Sequence, residues 1–275
     1  MSKTESQEES QTESQTEAEE RSSPRVLIIF EAIRQEGEHE LERPTSALAW
    51  SGLAAGLSMG FSMIAQALLA TYLPDAEWTP LITKFGYSIG FLIIVLGRQQ
   101  LFTENTLTPV LTLLDCKKLS VLINVARLWG VVLVANVVGT FLFALVLSNI
   151  SIFDLETYRQ FTIIAEGVVS TGFTETFFSA IFAGWLIALM VWLLPFAEQA
   201  RVWVIIIITY LVGLGGFSHI IAASVDGFYG LLTHQISITA FAFDFFIPTL
   251  LGNIIGGVAL VAAITYAQVN YEHVK

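Results

Sequence analysis

Residues 213–219 read Gly-Leu-Gly-Gly-Phe-Ser-His and lie inside an apolar run from Val202 to Leu232. Each glycine is about 1 kcal/mol worse than alanine in a helix interior, so this stretch predicts a broken helix. Backbone that leaves a helix inside a bilayer must be buried in protein or line a cavity. An ionisable group at that depth marks a functional site by default. The run is apolar enough to sit in a bilayer, and so is the whole chain: 54% of its 275 residues are hydrophobic and 13% are charged, against about 25% charged in a soluble domain.

By the rule of about 20 apolar residues per crossing, six spans are predicted near 45–73, 81–114, 119–148, 173–196, 202–232 and 241–269. The second and fifth are interrupted, the second by Gln99, Gln100, Thr103, Glu104 and Asn105. Residues 1–23 form an acidic polar tail too poor in apolar groups to repay ordering. Residues 24–43 predict a short helix on the membrane surface or against the bundle. Residues 44–270 make the six-span domain, with 149–172 an external connection, and 271–275 form a cytoplasmic C-terminus. The tail carries most of the net charge of −11, so the acidity does not describe the membrane domain. Cys116 is the only cysteine, and no cleavable signal peptide is evident.

An even number of spans puts both termini on one side, and Lys and Arg decide which. With the N-terminus inside, Lys3, Arg21, Arg25, Arg34, Arg43, Lys117, Lys118, Arg201 and Lys275 are cytoplasmic, against Lys84 and Arg159 outside. That asymmetry predicts a multi-pass protein of the cytoplasmic membrane with both termini in the cytoplasm. The halves also repeat. Asn136-Val-Val-Gly139 in the third span resembles Asn253-Ile-Ile-Gly256 in the sixth, and Phe102 in the first break pairs with Phe217 in the second. Three crossings invert the chain, so the halves have opposite topology, and paired broken helices predict a central site near the midplane. The Asn-x-x-Gly pairs are most simply read as helix packing.

Leu101-Phe102-Thr103-Glu104-Asn105 resembles the Leu-Phe-Thr-x-Asn loop of the formate/nitrite transporter family. Gly216-Phe217-Ser218-His219 resembles that family's Gly-[Phe/Tyr]-x-His loop, and Gly252-Asn253-Ile254-Ile255-Gly256-Gly257 its last-span motif. The likeness covers roughly residues 26–270 and is closest to a divergent branch. It implies an all-α, aquaporin-like six-span bundle and a homopentamer with one pore per protomer. It also implies conduction of small monovalent anions or their conjugate acids, such as formate, nitrite or hydrosulfide. His219 and Thr103 would meet at the pore centre, between constrictions built from Phe102, Ile187, Val212 and Tyr87. Three positions depart from the family's pattern: Gln100 stands for an acid, Arg98 and Glu104 for small residues. Aligning on Ile181-Phe-Ala-Gly-Trp puts Gly184 where the family has a pore-facing Asn, and a usual lysine falls near Val168.

Read from its own chemistry, His219 either titrates near neutral pH beside a substrate or is a buried packing histidine. Thr103 either partners it or caps the half-helix after the break. Arg98 and Glu104 either brace the loop as an ion pair, or Arg98 draws anions into the vestibule. Asp226 is expected near the outer mouth, without a role. No phosphate-binding glycine fingerprint, metal-ligand pair or cysteine pair is present, so no cofactor, enzyme or nucleic-acid partner is expected. Its partners are the bilayer, a small anion and four further copies. The alternative is a non-conducting scaffold or sensor that keeps the fold, favoured by Gly184, Val168 and Arg98.

Overall fold

A computed structural model describes residues 26–273, leaving the expected tail and the last two residues outside. The chain opens with α1 (Val26–Glu42). Then come α2 (Thr45–Tyr72), α3 (Thr79–Leu96), α4 (Thr108–Cys116) and α5 (Leu119–Asn149). The second half holds α6 (Leu155–Gly167), α7 (Phe173–Leu193), α8 (Arg201–Leu214), α9 (Ile220–Leu232) and α10 (Ile238–Val269).

Five of these segments are long and apolar enough to cross a membrane alone: α2, α3, α5, the stretch Phe173–Phe196 that includes α7, and α10. Helices α8 and α9 are each too short, but end to end they make one broken crossing. Helices α3 and α4 make the other, and six crossings result. Large apolar side chains such as Trp50, Phe178 and Ile207 point outward and are exposed, as hydrocarbon-facing residues should be.

Glycines let the crossings approach. Gly139 of α5 packs backbone to backbone against Gly56 of α2, and Gly256 of α10 packs onto Ile181 and Trp185 of α7. Gly184 is part of the second contact: a Cβ there would lie 2.7 Å from the Cα of Asn253. The position aligned with a pore-facing Asn is therefore a helix-packing surface, because the backbone of α10 fills the space a side chain would need. Helix α10 carries π-helical turns at Phe241–Phe246 and Gly256–Ala263, the second beginning at the glycine of the Asn-x-x-Gly motif.

Helix α1 docks on the bundle. Gly37 lies against the backbone of Thr108 at the start of α4, and Thr112 donates to the Arg34 carbonyl at 3.1 Å. Phe30 and Ile33 are buried with Leu107, Val110 and Leu111. The polar face of α1 carries Arg34 bonded to Glu31 at 2.7 Å and to Glu38 at 2.5 Å. The Arg34 guanidinium holds the Glu31 carboxyl down at about 2, while burial pushes Glu40 up. Helix α6 begins at Asp154, whose carboxylate accepts from the Thr157 amide at 2.8 Å. That bond lowers the Asp154 pKa, the effect expected of an acceptor at a helix N-terminus.

Candidate functional site at the paired breaks

Each break leaves backbone groups with no helical partner, and in a bilayer these must be met by protein. One asparagine serves each break. Asn136 Oδ1 accepts from the Phe102 amide at 2.9 Å, and its Nδ2 donates to the carbonyls of Gln100 (2.8 Å) and Gly52 (2.7 Å). Asn253 Oδ1 accepts from the Ile220 amide at 2.8 Å, and its Nδ2 donates to the carbonyls of Ser218 (2.9 Å) and Ala180 (2.8 Å). A serine repeats the pattern: Ser51 accepts from the Gln100 amide and Ser179 from the Ser218 amide, both at 3.1 Å. Helix packing alone therefore under-describes the Asn-x-x-Gly motifs. The glycine packs; the asparagine holds the broken backbone.

These bonds also correct the register of the repeat. Gln100 corresponds to Ser218 and Phe102 to Ile220, not to Phe217. Arg98 then corresponds to Gly216, and both take a left-handed backbone, φ 51° and 61°. Glycine does this freely and arginine does not. His219 corresponds to Leu101 and Thr103 to Ile221, so the polar pair does not obey the repeat.

The structure brings that pair together. Thr103 Oγ1 lies 2.7 Å from His219 Nε2, with both residues almost wholly buried, at 0% and 1% exposure. His219 also caps α9, its Nδ1 accepting from the Ala222 amide at 3.2 Å. An acceptor Nδ1 carries no proton, so the network assigns the neutral ring with its hydrogen on Nε2. Nε2–H then donates to Thr103, and the threonine's own proton is available for a third group. Thr103 is not the expected helix cap: α4 starts five residues later, without a side-chain cap.

Apolar groups enclose the pair. Phe91 meets the imidazole edge to face at 5.0 Å between ring centres, and Tyr87 tilts against Phe91 at 5.4 Å. Gly213 makes room for Tyr87, whose Cβ would be 2.9 Å from any added methyl. Ile187, Val212 and Phe102 are buried in the same cluster, with Phe102 edge-on to Trp129 at 5.8 Å. Sequence reasoning missed Phe91; its position one helical turn after Tyr87, on the same face, was the available signal.

The charged residues are not where a loop brace requires them. Arg98 bonds Glu36 of α1 at 3.1 Å, and the two side chains are 75% and 51% exposed. The expected Arg98–Glu104 ion pair does not form; Arg98 is bonded to Glu36 of α1 instead. Glu104 instead lines a 340 Å³ cavity beneath α1, shared with Glu36, Glu40, Arg98, Gln99 and Arg201. Asp226 is 8% exposed and near enough to Lys84 for their charges to interact. Lys84 also donates to Gln66 at 3.3 Å. Val168 ends α6 and packs on the core. Among the described residues no group of three acidic, histidine or cysteine side chains is placed to hold a metal ion.

Two broken crossings tied by paired asparagines, around a buried polar pair in an apolar sleeve, define a multi-pass membrane protein of the channel and transporter class. The family model for the formate/nitrite transporter matches residues 28–267, and the chain belongs to that family, whose members are transporters and channels, not enzymes. It is 40% identical over 270 residues to "Inner membrane protein YfdC" of Escherichia coli (strain K12), covering 98% of this chain and 87% of that one. It is 25% identical over 259 residues to "Formate channel BtFdhC" of Bacillus thuringiensis, covering 89% and 95%. Two solved structures share the fold. The "FNT family ion channel" has a TM-score of 0.78 at 17% identity, covering 88% of this chain and 99% of its own. The "Pentameric formate channel with formate bound" has 0.68 at 19%, covering 82% and 98%.

Proposed function

We propose that the chain is a homopentameric channel of the cytoplasmic membrane for small monovalent anions or their conjugate acids, with Thr103 and His219 as its central polar station. The 2.7 Å contact between two buried polar side chains from opposite halves carries the reading. The Thr103 hydroxyl proton is the donor an arriving anion would meet, held in direction by the Nε2–H behind it. Phe91, Phe102, Ile187, Val212 and Tyr87 make the approach apolar, so a hydrated ion would lose its shell there at high cost. Among the described residues no lysine or arginine is buried with the neutral ring to offset that cost. The species favoured at the barrier is therefore the weak acid after it has taken up a proton. Protonating His219 at Nδ1 would break its bond to the Ala222 amide, so the ring's role is to orient Thr103.

The pentamer and the anionic substrate rest on the relatives' names together with the family. The cytoplasmic placement of both termini rests on the Lys and Arg asymmetry, and labelling of Cys116 from outside intact cells would overturn it. The scaffold alternative loses two supports, since Gly184 is a packing position and Arg98 lies at the exposed mouth. The test is uptake of formate, nitrite, hydrosulfide and lactate into liposomes carrying wild type, His219→Phe or Thr103→Val. Flux that rises as pH falls in wild type, and that is lost or strongly slowed in both variants, is expected. Variants that keep rate and pH profile for every conducted species would show that the pair is structural.

A further inference from the structure

Resting on that functional reading, we infer that Arg201 is the residue that gathers a small oxyanion into the cavity beneath α1, a part that the sequence offered to Arg98. Five charged side chains line this cavity: Glu36 and Glu40 from α1, Arg98 and Glu104 from the first break, and Arg201 from α8. Their pairing decides what an arriving ion meets. Arg98 is bonded to Glu36 at 3.1 Å, and Glu40 to Arg43 at 3.0 Å, so protein answers the charges of both pairs. Among the described residues Arg201 makes no ion pair. Its Nη2 donates to the Leu194 carbonyl at 3.4 Å, and its buried Nε has no acceptor.

Glu104 does not cancel that charge. Its Oε1 is buried without a hydrogen bond, it has no ion-pair partner, and Glu36 and Glu40 line the same cavity. An enclosed carboxyl in that company keeps its proton, because the neutral form avoids both desolvation and like-charge repulsion. The cavity therefore holds two paired acids, one neutral acid and one guanidinium without a counter-ion. A guanidinium offers several N–H donors to a planar oxyanion and stays charged throughout the physiological range. Arg201 is also the first residue of α8, which begins without a side-chain cap, so the positive end of a 14-residue helix lies at the same place. Val191, Leu194 and Pro195 form an apolar wall beside it, where a charge is felt more strongly than in water. Thr103 and His219 act inside the sleeve. Arg201 acts before it, by raising the concentration of the anion at its mouth. Arg98 does not share this task, because its charge is spent on Glu36.

The experiment uses the full-length protein in liposomes at about pH 7, where formate is ionised, and measures the half-saturating formate concentration from each face. Passive flux at low concentration changes equally in both directions, so half-saturation is the quantity that reports the side. Arg201→Gln should raise the half-saturating concentration from the α1 face by about tenfold and change it little from the other face. Arg201→Lys keeps the charge and should recover most of that loss. Added impermeant salt should raise the wild-type value and leave that of Arg201→Gln flat, a response that a purely structural arginine would not give. The double variant Arg98→Gln with Glu36→Gln removes a matched pair and should stay near wild type. A conducting wild type whose half-saturation is unchanged in Arg201→Gln overturns the inference. So does a double variant that shifts as far as Arg201→Gln. A wild type that conducts no formate from either face sinks the functional reading itself, and the inference with it.

Discussion

Replacing Asn253 with alanine should destabilise the protein by about 2–4 kcal/mol, and the structure says why the figure is that large. The side chain makes three bonds, to Ile220 N–H, Ser218 C=O and Ala180 C=O. Ala180 lies inside α7 and keeps its helical bond, so it loses little. Ile220 N–H is the first amide of α9 and Ser218 C=O lies off the helix; both would be orphaned. Each buried orphan costs about 1–3 kcal/mol, giving about 2–6 kcal/mol as a limit. Side-chain bonds between membrane helices average only about 0.6 kcal/mol, with a maximum near about 1.7. That average applies to groups with helical alternatives, and these two have none, so the value expected lies between the scales. Asn253→Asp should do no better, because its second oxygen faces the Ser218 carbonyl instead of donating to it. Asn136→Ala should show a loss of the same size, since its bonds match one for one. The assay is reversible unfolding of the detergent-solubilised protein, read by tryptophan fluorescence, with flux measured in parallel. If both alanine variants fall within about 0.5 kcal/mol of wild type, the asparagines do not hold the breaks and the account of the site is wrong.

Three further outcomes are expected. Gly184→Ala should lower stability by about 1–3 kcal/mol, because its Cβ would press on the backbone of α10 at Asn253; a neutral melting curve would refute that packing. Arg98→Gly should be more stable than Arg98→Ala by about 1 kcal/mol, since only glycine relieves the left-handed backbone and the exposed ion pair with Glu36 contributes about 0–1 kcal/mol. Equal midpoints for the two variants would count against that strain. Acidification from neutral to about pH 4 should not release α1: Glu31, held down near 2, keeps its contribution until pH falls through that value. Glu40, pushed up by burial, opposes docking when ionised and favours it once protonated. Amide exchange that accelerates in α1 across that range would contradict both signs.

How far the sequence carries depends on the kind of signal. Crossings are a one-dimensional property, and runs of apolar residues interrupted at Gln99–Asn105 and Gly213–His219 were enough to place all six and both breaks. The polar pair was legible because a histidine and a threonine beside breaks in an apolar chain have few innocent explanations. What pairs with an orphaned backbone group is a three-dimensional property. Nothing along the chain says that Asn136 reaches Gln100 and Phe102, or that Asn253 reaches Ser218 and Ile220. The same limit misassigned the repeat: matching phenylalanines suggested Phe102 with Phe217, whereas hydrogen-bond topology pairs Phe102 with Ile220. Arg98 was misjudged for a related reason. Its partner, Glu36, lies on a separate helix 62 residues away in the chain, and an arginine in a glycine's conformation leaves no trace in hydropathy.

The corrected register bears on how such a site is built. The two halves supply the same scaffold: a left-handed residue at Arg98 or Gly216, a serine on the neighbouring crossing, and an asparagine bonded on both sides of the break. A symmetric scaffold would by itself give a symmetric centre. At the two positions that reach the middle, one half presents Leu101 and Thr103 where the other presents His219 and Ile221, so each half contributes one polar and one apolar group. Two histidines meeting there would place two titratable rings in one apolar sleeve, where protonating either would be opposed by the other's burial and charge. Two threonines would give donors with nothing to fix their direction. One of each, 2.7 Å apart, gives a hydroxyl whose proton is aimed by a ring that is itself fixed by the first turn of α9. The identical supports hold rigid backbone on both sides of the centre, and the departure from symmetry gives that centre a direction.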